Sequence, residues 1–159
     1  MTETGLYIGS ALQGVDRKGR VAIPADFRQV LERKATQRQI LVGFHATLPC
    51  LRALDLQWAE ETEAGFKRRL EAGEGAEAIA AERELAFGEP EPAPFDPSGR
   101  FILPDFARTE VEIDDCAFFL GAGPTFNIWA PKLLMVADSV PDRVRRRCAH
   151  LLGQRKGGE

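Results

Sequence analysis

Residues that bind metals or form disulfides are scarce in this 159-residue chain, which has three cysteines and two histidines. Cys50, Cys116 and Cys148 are an odd set without Cys-x-x-Cys spacing, so they predict neither a disulfide framework nor a zinc site. We expect three buried, reduced thiols. His45 and His150 have no neighbouring cluster of ligand-type residues. The sequence therefore predicts a protein that holds no metal ion and no cofactor.

Long apolar runs are absent as well. No stretch reaches the roughly 18 consecutive apolar residues that cross a bilayer. Residues 1–5 also lack the basic and apolar regions of a signal peptide. We therefore expect a cytoplasmic protein without a membrane partner. The 44% of hydrophobic residues is ordinary for a packed globular fold.

Sequence motifs of catalysis are also missing. The chain has no Gly-x-x-x-x-Gly-Lys phosphate loop, no Gly-x-Ser-x-Gly elbow and no His-Glu-x-x-His pair. The sequence therefore predicts that the protein is not an enzyme and has no small-molecule substrate. Its formal net charge of −3 argues against a uniformly basic surface. Affinity for phosphate depends on local charge, however, which this average conceals.

An internal repeat is the main feature that the sequence does contain. Residues 15–24 read Val-Asp-Arg-Lys-Gly-Arg-Val-Ala-Ile-Pro, and residues 95–104 read Phe-Asp-Pro-Ser-Gly-Arg-Phe-Ile-Leu-Pro. Each copy continues into a short segment that ends in arginine, at Arg28 and Arg108, and then into apolar, strand-like runs. The two copies therefore predict an α+β, β-rich fold built from two repeats, with peripheral helices.

The repeats divide the chain into four predicted segments. These are a first repeat at residues 6–54, a helical and Pro-rich connection at 55–94, a second repeat at 95–138, and a C-terminal helix and tail at 139–159. Pro24 and Pro104 suit the first position of a helix, and Asp55 suits a helix N-cap. The Pro-rich residues 89–94 must be extended.

Each repeat contains an Asp-x-x-Gly-Arg turn. We expect Asp16 and Asp96 to accept local backbone hydrogen bonds, and Gly19 and Gly99 to adopt the left-handed conformation that closes a hairpin. One such turn by itself indicates only a hairpin. Its duplication, with Gly-Arg, three apolar residues and Pro at fixed distances, indicates a shared function.

Positive charge is concentrated at the first turn. The cations of this turn and of the segment after it are Arg17, Lys18, Arg20, Arg28, Arg33, Lys34 and Arg38. Such a cluster is typical of a surface that binds DNA phosphates, and arginine can also hydrogen-bond guanine with two bonds. The second turn carries Pro97 and Ser98 and keeps only Arg100. We therefore expect the second turn to bind phosphate more weakly.

The two turns, each followed by apolar residues and Pro, resemble the paired motifs of the MraZ family of bacterial DNA-binding transcription regulators. Residues 123–131, Gly-Pro-Thr-Phe-Asn-Ile-Trp-Ala-Pro, resemble the second half of that family. The match covers roughly residues 6–138. The resemblance implies an AbrB-like swapped-hairpin barrel formed by the two repeats. It also implies a ring-shaped homo-oligomer, in the cytoplasm and associated with the nucleoid.

The resemblance further implies a partner and a set of contacts. The partner is double-stranded DNA, at short direct repeats upstream of the cell-division and cell-wall gene cluster that includes the protein's own gene. Arg17, Lys18 and Arg20 are the implied DNA contacts, and Arg100 is the matching position in the second copy. On this interpretation the first turn reads DNA, whereas the second mainly completes the barrel.

Two alternatives remain open at this stage. The first is an AbrB-like antitoxin or assembly scaffold, in which the barrel binds a protein partner and any DNA contact is secondary. An antitoxin with one copy usually ends in a partner-binding tail, whereas this chain repeats the motif. The arginines at residues 143–147 favour the solvated face of an amphipathic helix and stay outside the predicted site.

Overall fold

The computed structural model describes residues 5–34 and 37–157, and within these ranges the chain forms eight strands and six helices. The strands are β1 (Ser10–Gly14), β2 (Arg20–Ala22), β3 (Gln39–Phe44), β4 (Leu51–Leu54), β5 (Glu91–Pro94), β6 (Arg100–Ile102), β7 (Cys116–Gly121) and β8 (Phe126–Trp129). The helices are α1 (Ala25–Lys34), α2 (Leu56–Glu71), α3 (Ala76–Gly88), α4 (Asp105–Glu110), α5 (Pro131–Met135) and α6 (Asp142–Gly157).

The strands interleave the two repeats. Six of them form one sheet in the order β1-β7-β8-β4-β3-β5, and β2 pairs with β6 in a separate ladder. The first strand of each repeat pairs antiparallel with a later strand of the other repeat, β1 with β7 and β5 with β3. β1 and β5, β3 and β7, and β4 and β8 occupy equivalent positions in the two repeats. The order of the sheet is therefore symmetric: each strand lies as far from one edge as its counterpart lies from the other.

An internal two-fold relation follows from the register. Val21 pairs with Phe101 at the centre of the β2–β6 ladder. Arg52 pairs with Asn127 at the centre of the β4–β8 ladder. Each pair joins equivalent positions of the two repeats. The sheet and the ladder are therefore both symmetric about an internal two-fold relation.

The α+β class with peripheral helices is confirmed, but no closed barrel is present among the described strands. The six-stranded sheet is open, with β1 and β5 at its edges, and the β2–β6 ladder lies apart from it. The predicted hairpins are also wrong in one respect. The strands on either side of each turn pair with the other repeat rather than with each other. The turns at residues 15–19 and 95–99 therefore carry the chain from the sheet to the ladder.

The main hydrophobic core lies between the ladder and the sheet. Val21 and Phe101 enter it from the ladder, and α1 contributes Phe27, Val30 and Leu31, an apolar stripe at helical spacing. Burying such side chains removes apolar surface from water, which stabilises the fold by about 1.5–3 kcal/mol for each large residue. The two layers are therefore held together by the inward faces of strands from both repeats.

A second cluster lies beneath α6. Cys148 of α6 packs there with Cys50 and Trp129. The three cysteines are free and buried, as predicted. Burial raises the pKa of the Cys50 thiol to about 12 and that of Cys148 to about 11, which keeps both thiols protonated. The helix α6 continues to Gly157, and residues 158 and 159 lie outside the described ranges.

The connection between the repeats is a pair of helices followed by an edge strand. Arg83 of α3 donates two hydrogen bonds to Glu63 of α2, at 2.9 and 2.7 Å. The Pro-rich segment is extended as predicted over β5, whose place at a sheet edge suits strand prolines. The prediction is wrong at Glu89, which ends α3 with right-handed helical angles. Pro24 and Pro104 precede their helices by one position, where each carbonyl accepts the first helical hydrogen bond. None of the helices in the described ranges is both long and apolar enough to cross a membrane.

Asp55 joins three segments of the fold. As predicted, it caps α2, accepting a hydrogen bond from the backbone N–H of Trp58 at 2.8 Å. Its other carboxylate oxygen accepts from the Tyr7 hydroxyl at 2.5 Å and from the Lys34 ammonium at 2.7 Å. Because Tyr7 lies near the start of the chain and Lys34 at the end of α1, one buried carboxylate fixes three elements that are distant in sequence.

Candidate nucleic-acid interface

The first turn is organised by the side chain of Asp16. Its Oδ1 accepts hydrogen bonds from the backbone N–H groups of Lys18 and Arg20, both at 2.9 Å. The N–H of Gly19 donates to the Asp16 carbonyl at 3.0 Å, and Gly19 has a φ of 84°. A side chain is strained at that φ, so the tight turn requires glycine. The turn is therefore closed by groups of its own five residues.

The second turn repeats this geometry. Asp96 Oδ1 accepts from the backbone N–H groups of Ser98 and Arg100, both at 2.9 Å. Gly99 has a φ of 83° and donates to the Asp96 carbonyl at 2.8 Å. Pro97 and Ser98 occupy the positions that Arg17 and Lys18 have in the first turn, and all four residues are exposed. The two turns therefore differ in the charge of their middle residues and not in their backbone.

Arg20 and Arg100 lie on the same face of the β2–β6 ladder. Arg20 pairs with Ile102, and Ala22 pairs with Arg100. Directly paired residues share a face, and side chains alternate along a strand, so these four residues face away from the buried Val21–Phe101 pair. The two arginine side chains are 53% and 60% exposed. Because Arg20 and Arg100 are diagonal neighbours across the ladder, their Cα atoms lie about 7–8 Å apart.

Each of the two arginines is held by its own turn. The Nε of Arg20 lies 2.6 Å from Asp16 Oδ2, and the Nε of Arg100 lies 3.0 Å from Asp96 Oδ2. The terminal nitrogens of both guanidinium groups make no hydrogen bond to the part of the chain that the structure describes. The turns therefore orient two planar donor groups outwards without using their terminal N–H groups.

The same contacts lower the pKa of both turn carboxyl groups. The backbone N–H of Arg20 is the main cause for Asp16, followed by the Arg20 side chain. For Asp96 the main cause is the backbone N–H of Arg100. Because a hydrogen bond from an N–H favours the charged carboxylate, both side chains remain ionised in mildly acidic solution.

Acid should loosen the two turns independently of each other. A carboxyl pKa that is lower in the folded protein contributes stability above the unfolded pKa, and this stability is lost as the pH falls through the folded pKa. NMR titration of the carboxyl carbons measures both sites. We expect Arg20→Gln to raise the pKa of Asp16 partway towards its ordinary value and to leave Asp96 as its internal control. Equal changes at both carboxyls would contradict this assignment.

Three of the cations predicted to follow the first turn lie elsewhere. Arg28 Nη1 donates to the carbonyl of Ser98 in the second turn. Arg38 is exposed beside the second turn, where its carbonyl accepts from the N–H of Phe95 at 3.0 Å. Lys34 is mostly buried, with its ammonium against Asp55. Arg33 does lie on the exposed surface of α1. The surface around the second turn therefore carries more positive charge than the residues of that turn indicate.

Arg108 is the counterpart of Arg28 and was visible in the sequence as a repeated position. Its Nε and Nη2 donate to the carbonyls of Ile113 and Asp114, at 3.0 and 2.8 Å. Its Nη1 lies 3.4 Å from the position that a Cβ on Gly19 would occupy. Each helix that follows a ladder strand thus places an arginine beside the turn of the other repeat.

Comparison with known proteins gives relatives along most of the chain. A protein from Rhodospirillum rubrum named "Transcriptional regulator MraZ" is 33% identical over 129 residues, which cover 80% of this chain and 81% of the relative. Proteins of the same name from Ruegeria sp. (strain TM1040) and Azorhizobium caulinodans are 32% and 31% identical. They cover 79% and 96% of this chain, and 78% and 95% of their own lengths. No protein-family model matches the chain.

Proposed function

Because the chain belongs to the MraZ family of transcriptional regulators, we propose that it binds DNA sequence-specifically through the outer face of the β2–β6 ladder. One observation carries the proposal: the ladder presents Arg20 and Arg100 together, exposed and oriented by their own turns. A two-stranded β-ribbon fits the major groove of B-DNA, where arginine can donate two hydrogen bonds to guanine. The fold thus offers a ribbon of the right kind with two suitable side chains.

In this proposal, Arg20 and Arg100 contact base edges, and Arg17 and Lys18 contact phosphates. Asp16, Gly19, Asp96 and Gly99 shape the two turns. The ion pairs with Asp16 and Asp96 fix the arginine side chains before DNA arrives, which lowers the entropy lost on binding.

Assembly would supply the affinity that one ladder lacks. We propose a ring-shaped homo-oligomer, in which ladders of several subunits engage short direct repeats and gain avidity from their linkage. The proposed targets lie upstream of the cell-division and cell-wall gene cluster, including the protein's own gene, so that the protein would act at the nucleoid. The interleaving of β1 and β5 with the opposite repeats supports a relation to AbrB-like swapped-hairpin proteins.

Sequencing the DNA that the full-length protein retains from fragmented genomic DNA of its own source tests this function. We expect enrichment of one short motif that recurs as direct repeats upstream of the protein's own gene. Retention of all fragments alike would contradict sequence-specific binding. An absence of retained DNA, together with capture of a defined protein partner, would favour the antitoxin or scaffold alternative.

A further inference from the structure

Two arginines outside the duplicated turns lie beside the ends of the β2–β6 ladder. We infer that Arg38 and Arg155 contact the DNA phosphates on opposite sides of the groove that the ladder enters. The inference rests on the proposed DNA-binding function and adds a phosphate-binding position at each end of the ladder, formed by residues that belong to neither turn.

The two positions are equivalent in the internal symmetry of the fold. The N–H of Val15, just before the first turn, donates to the carbonyl of Asp115 at 2.9 Å. The N–H of Phe95, just before the second turn, donates to the carbonyl of Arg38 at 3.0 Å. Asp115 and Arg38 therefore occupy the same place, each immediately before a strand of the interleaved sheet, but they carry opposite charges.

At the second turn, Arg38 supplies the cation directly. It is exposed, and its side chain makes no hydrogen bond or ion pair to the part of the chain that the structure describes. The turn beside it offers Pro97 and Ser98 in the places of two cations. A guanidinium at this position that has no partner within residues 5–34 and 37–157 is available to a phosphate.

At the first turn, α6 supplies the cation that the equivalent Asp115 cannot. Arg155 Nη2 lies 3.4 Å from the Asp115 carbonyl, and its Nη1 lies 3.1 Å from where a Cβ on Gly14 would be. Gly14 leaves the space that this guanidinium occupies. Arg155 remains exposed, close to the chain that leads into Asp16. An arginine from a different element thus occupies the place that Arg38 occupies in the other half.

The dimensions of the ladder fit this arrangement. Its two strands are antiparallel, so the first turn lies at the Arg20–Ile102 end and the second at the Ala22–Arg100 end. From the first to the third residue of each strand there are two steps of roughly 3.4 Å, so the ladder is about 7 Å long. The major groove is about 12 Å wide. A ladder within the groove therefore brings Arg155 and Arg38 towards opposite phosphate backbones.

Salt dependence of binding distinguishes phosphate contacts from base contacts. The variants are Arg38→Gln, Arg155→Gln and the double variant, each measured on the retained DNA and on a scrambled duplex of equal length. Each phosphate contact contributes about 0.9 to the slope of log K against log salt. We therefore expect each single substitution to make the affinity drop between about 50 and 200 mM salt at least threefold smaller on both duplexes.

Arg143→Gln is the matched control, because Arg143 is an exposed arginine at the other end of α6. It should leave the slope unchanged, and thermal unfolding should show that all variants fold. Unchanged slopes in both Arg38→Gln and Arg155→Gln would overturn the inference. A loss of affinity on the retained DNA without a loss on the scrambled duplex would overturn it too. If the unsubstituted protein binds no DNA, the proposed function itself fails. If it binds and loses affinity only on Arg20 substitution, this inference alone fails.

Discussion

Replacing Arg20 by alanine is expected to weaken binding to the protein's specific DNA about five- to hundredfold for each ladder engaged. An arginine that hydrogen-bonds a guanine with two bonds is worth about 1–3 kcal/mol, and about 1.4 kcal/mol corresponds to a factor of ten in affinity. In an assembly that binds several repeats, the losses multiply, so a gel-shift titration at moderate salt should show no specific complex. The core residues beneath the ladder are untouched, and the fold should be unchanged.

Two further substitutions interpret this result. Arg20→Lys keeps the positive charge and loses the planar pair of donors. We expect it to lose sequence discrimination while keeping most of the salt dependence. Arg100→Ala tests the second turn. From its own residues this turn should contribute less, but Arg28 and Arg38 lie beside it. We therefore expect a loss comparable to that of Arg20→Ala. Unchanged affinity in the Arg20→Ala protein would remove the ladder as the reading surface.

Replacing Asp55 by alanine is expected to lower the free energy of unfolding by several kcal/mol. Asp55 is 2% exposed, and its partner Lys34 has a side chain that is 10% exposed. Removing one member of a buried ion pair costs about 3–5 kcal/mol, because the other charge stays buried without compensation. Loss of the N-cap of α2 adds about 1 kcal/mol. Urea denaturation measures the change, and the variant should unfold at a much lower urea concentration.

A double-mutant cycle separates the charge from the cap. Lys34→Met removes the ammonium, whose Nζ also lies 4.9 Å from the centre of the Tyr7 ring. The double variant of Asp55→Ala and Lys34→Met contains neither buried charge, so we expect its loss to be smaller than the sum of the single losses by about 0.5–3 kcal/mol. Asp55→Asn should retain part of the cap. Strict additivity would mean that the two charges do not stabilise each other.

Local chemistry was predictable from the sequence to a large extent. The positions of Asp16, Gly19 and their counterparts in the turns, the cap at Asp55 and the apolar stripe of α1 each depend on residues close together in the chain. Side-chain hydrogen bonds to nearby backbone groups and helical spacing are encoded within a few residues. These features do not require knowledge of which strands pair.

Strand pairing was not predictable in this way. Apolar alternation determines which face of a strand is buried, but it does not determine the partner strand. Two similar repeats can each pair within themselves or exchange strands, and the pattern of apolar residues is the same in both cases. The positions of Arg28 and Arg38 beside the second turn follow from this exchange, which is why they could not be separated from the first turn. Lys34 was counted as a surface cation because its partner Asp55 is 21 residues away.

The exchange of strands also sets a time at which the protein can fold during synthesis. β1 leaves the ribosome well before β7, because Leu120, the partner of Ser10, is made about 110 residues later. At about 5–20 residues per second, β1 waits on the order of 5–20 s for its pairing strand. During that interval an unpaired edge is exposed to neighbouring nascent chains. Ribosomes that follow one another on the same message would therefore carry complementary, unpaired segments at the same moment.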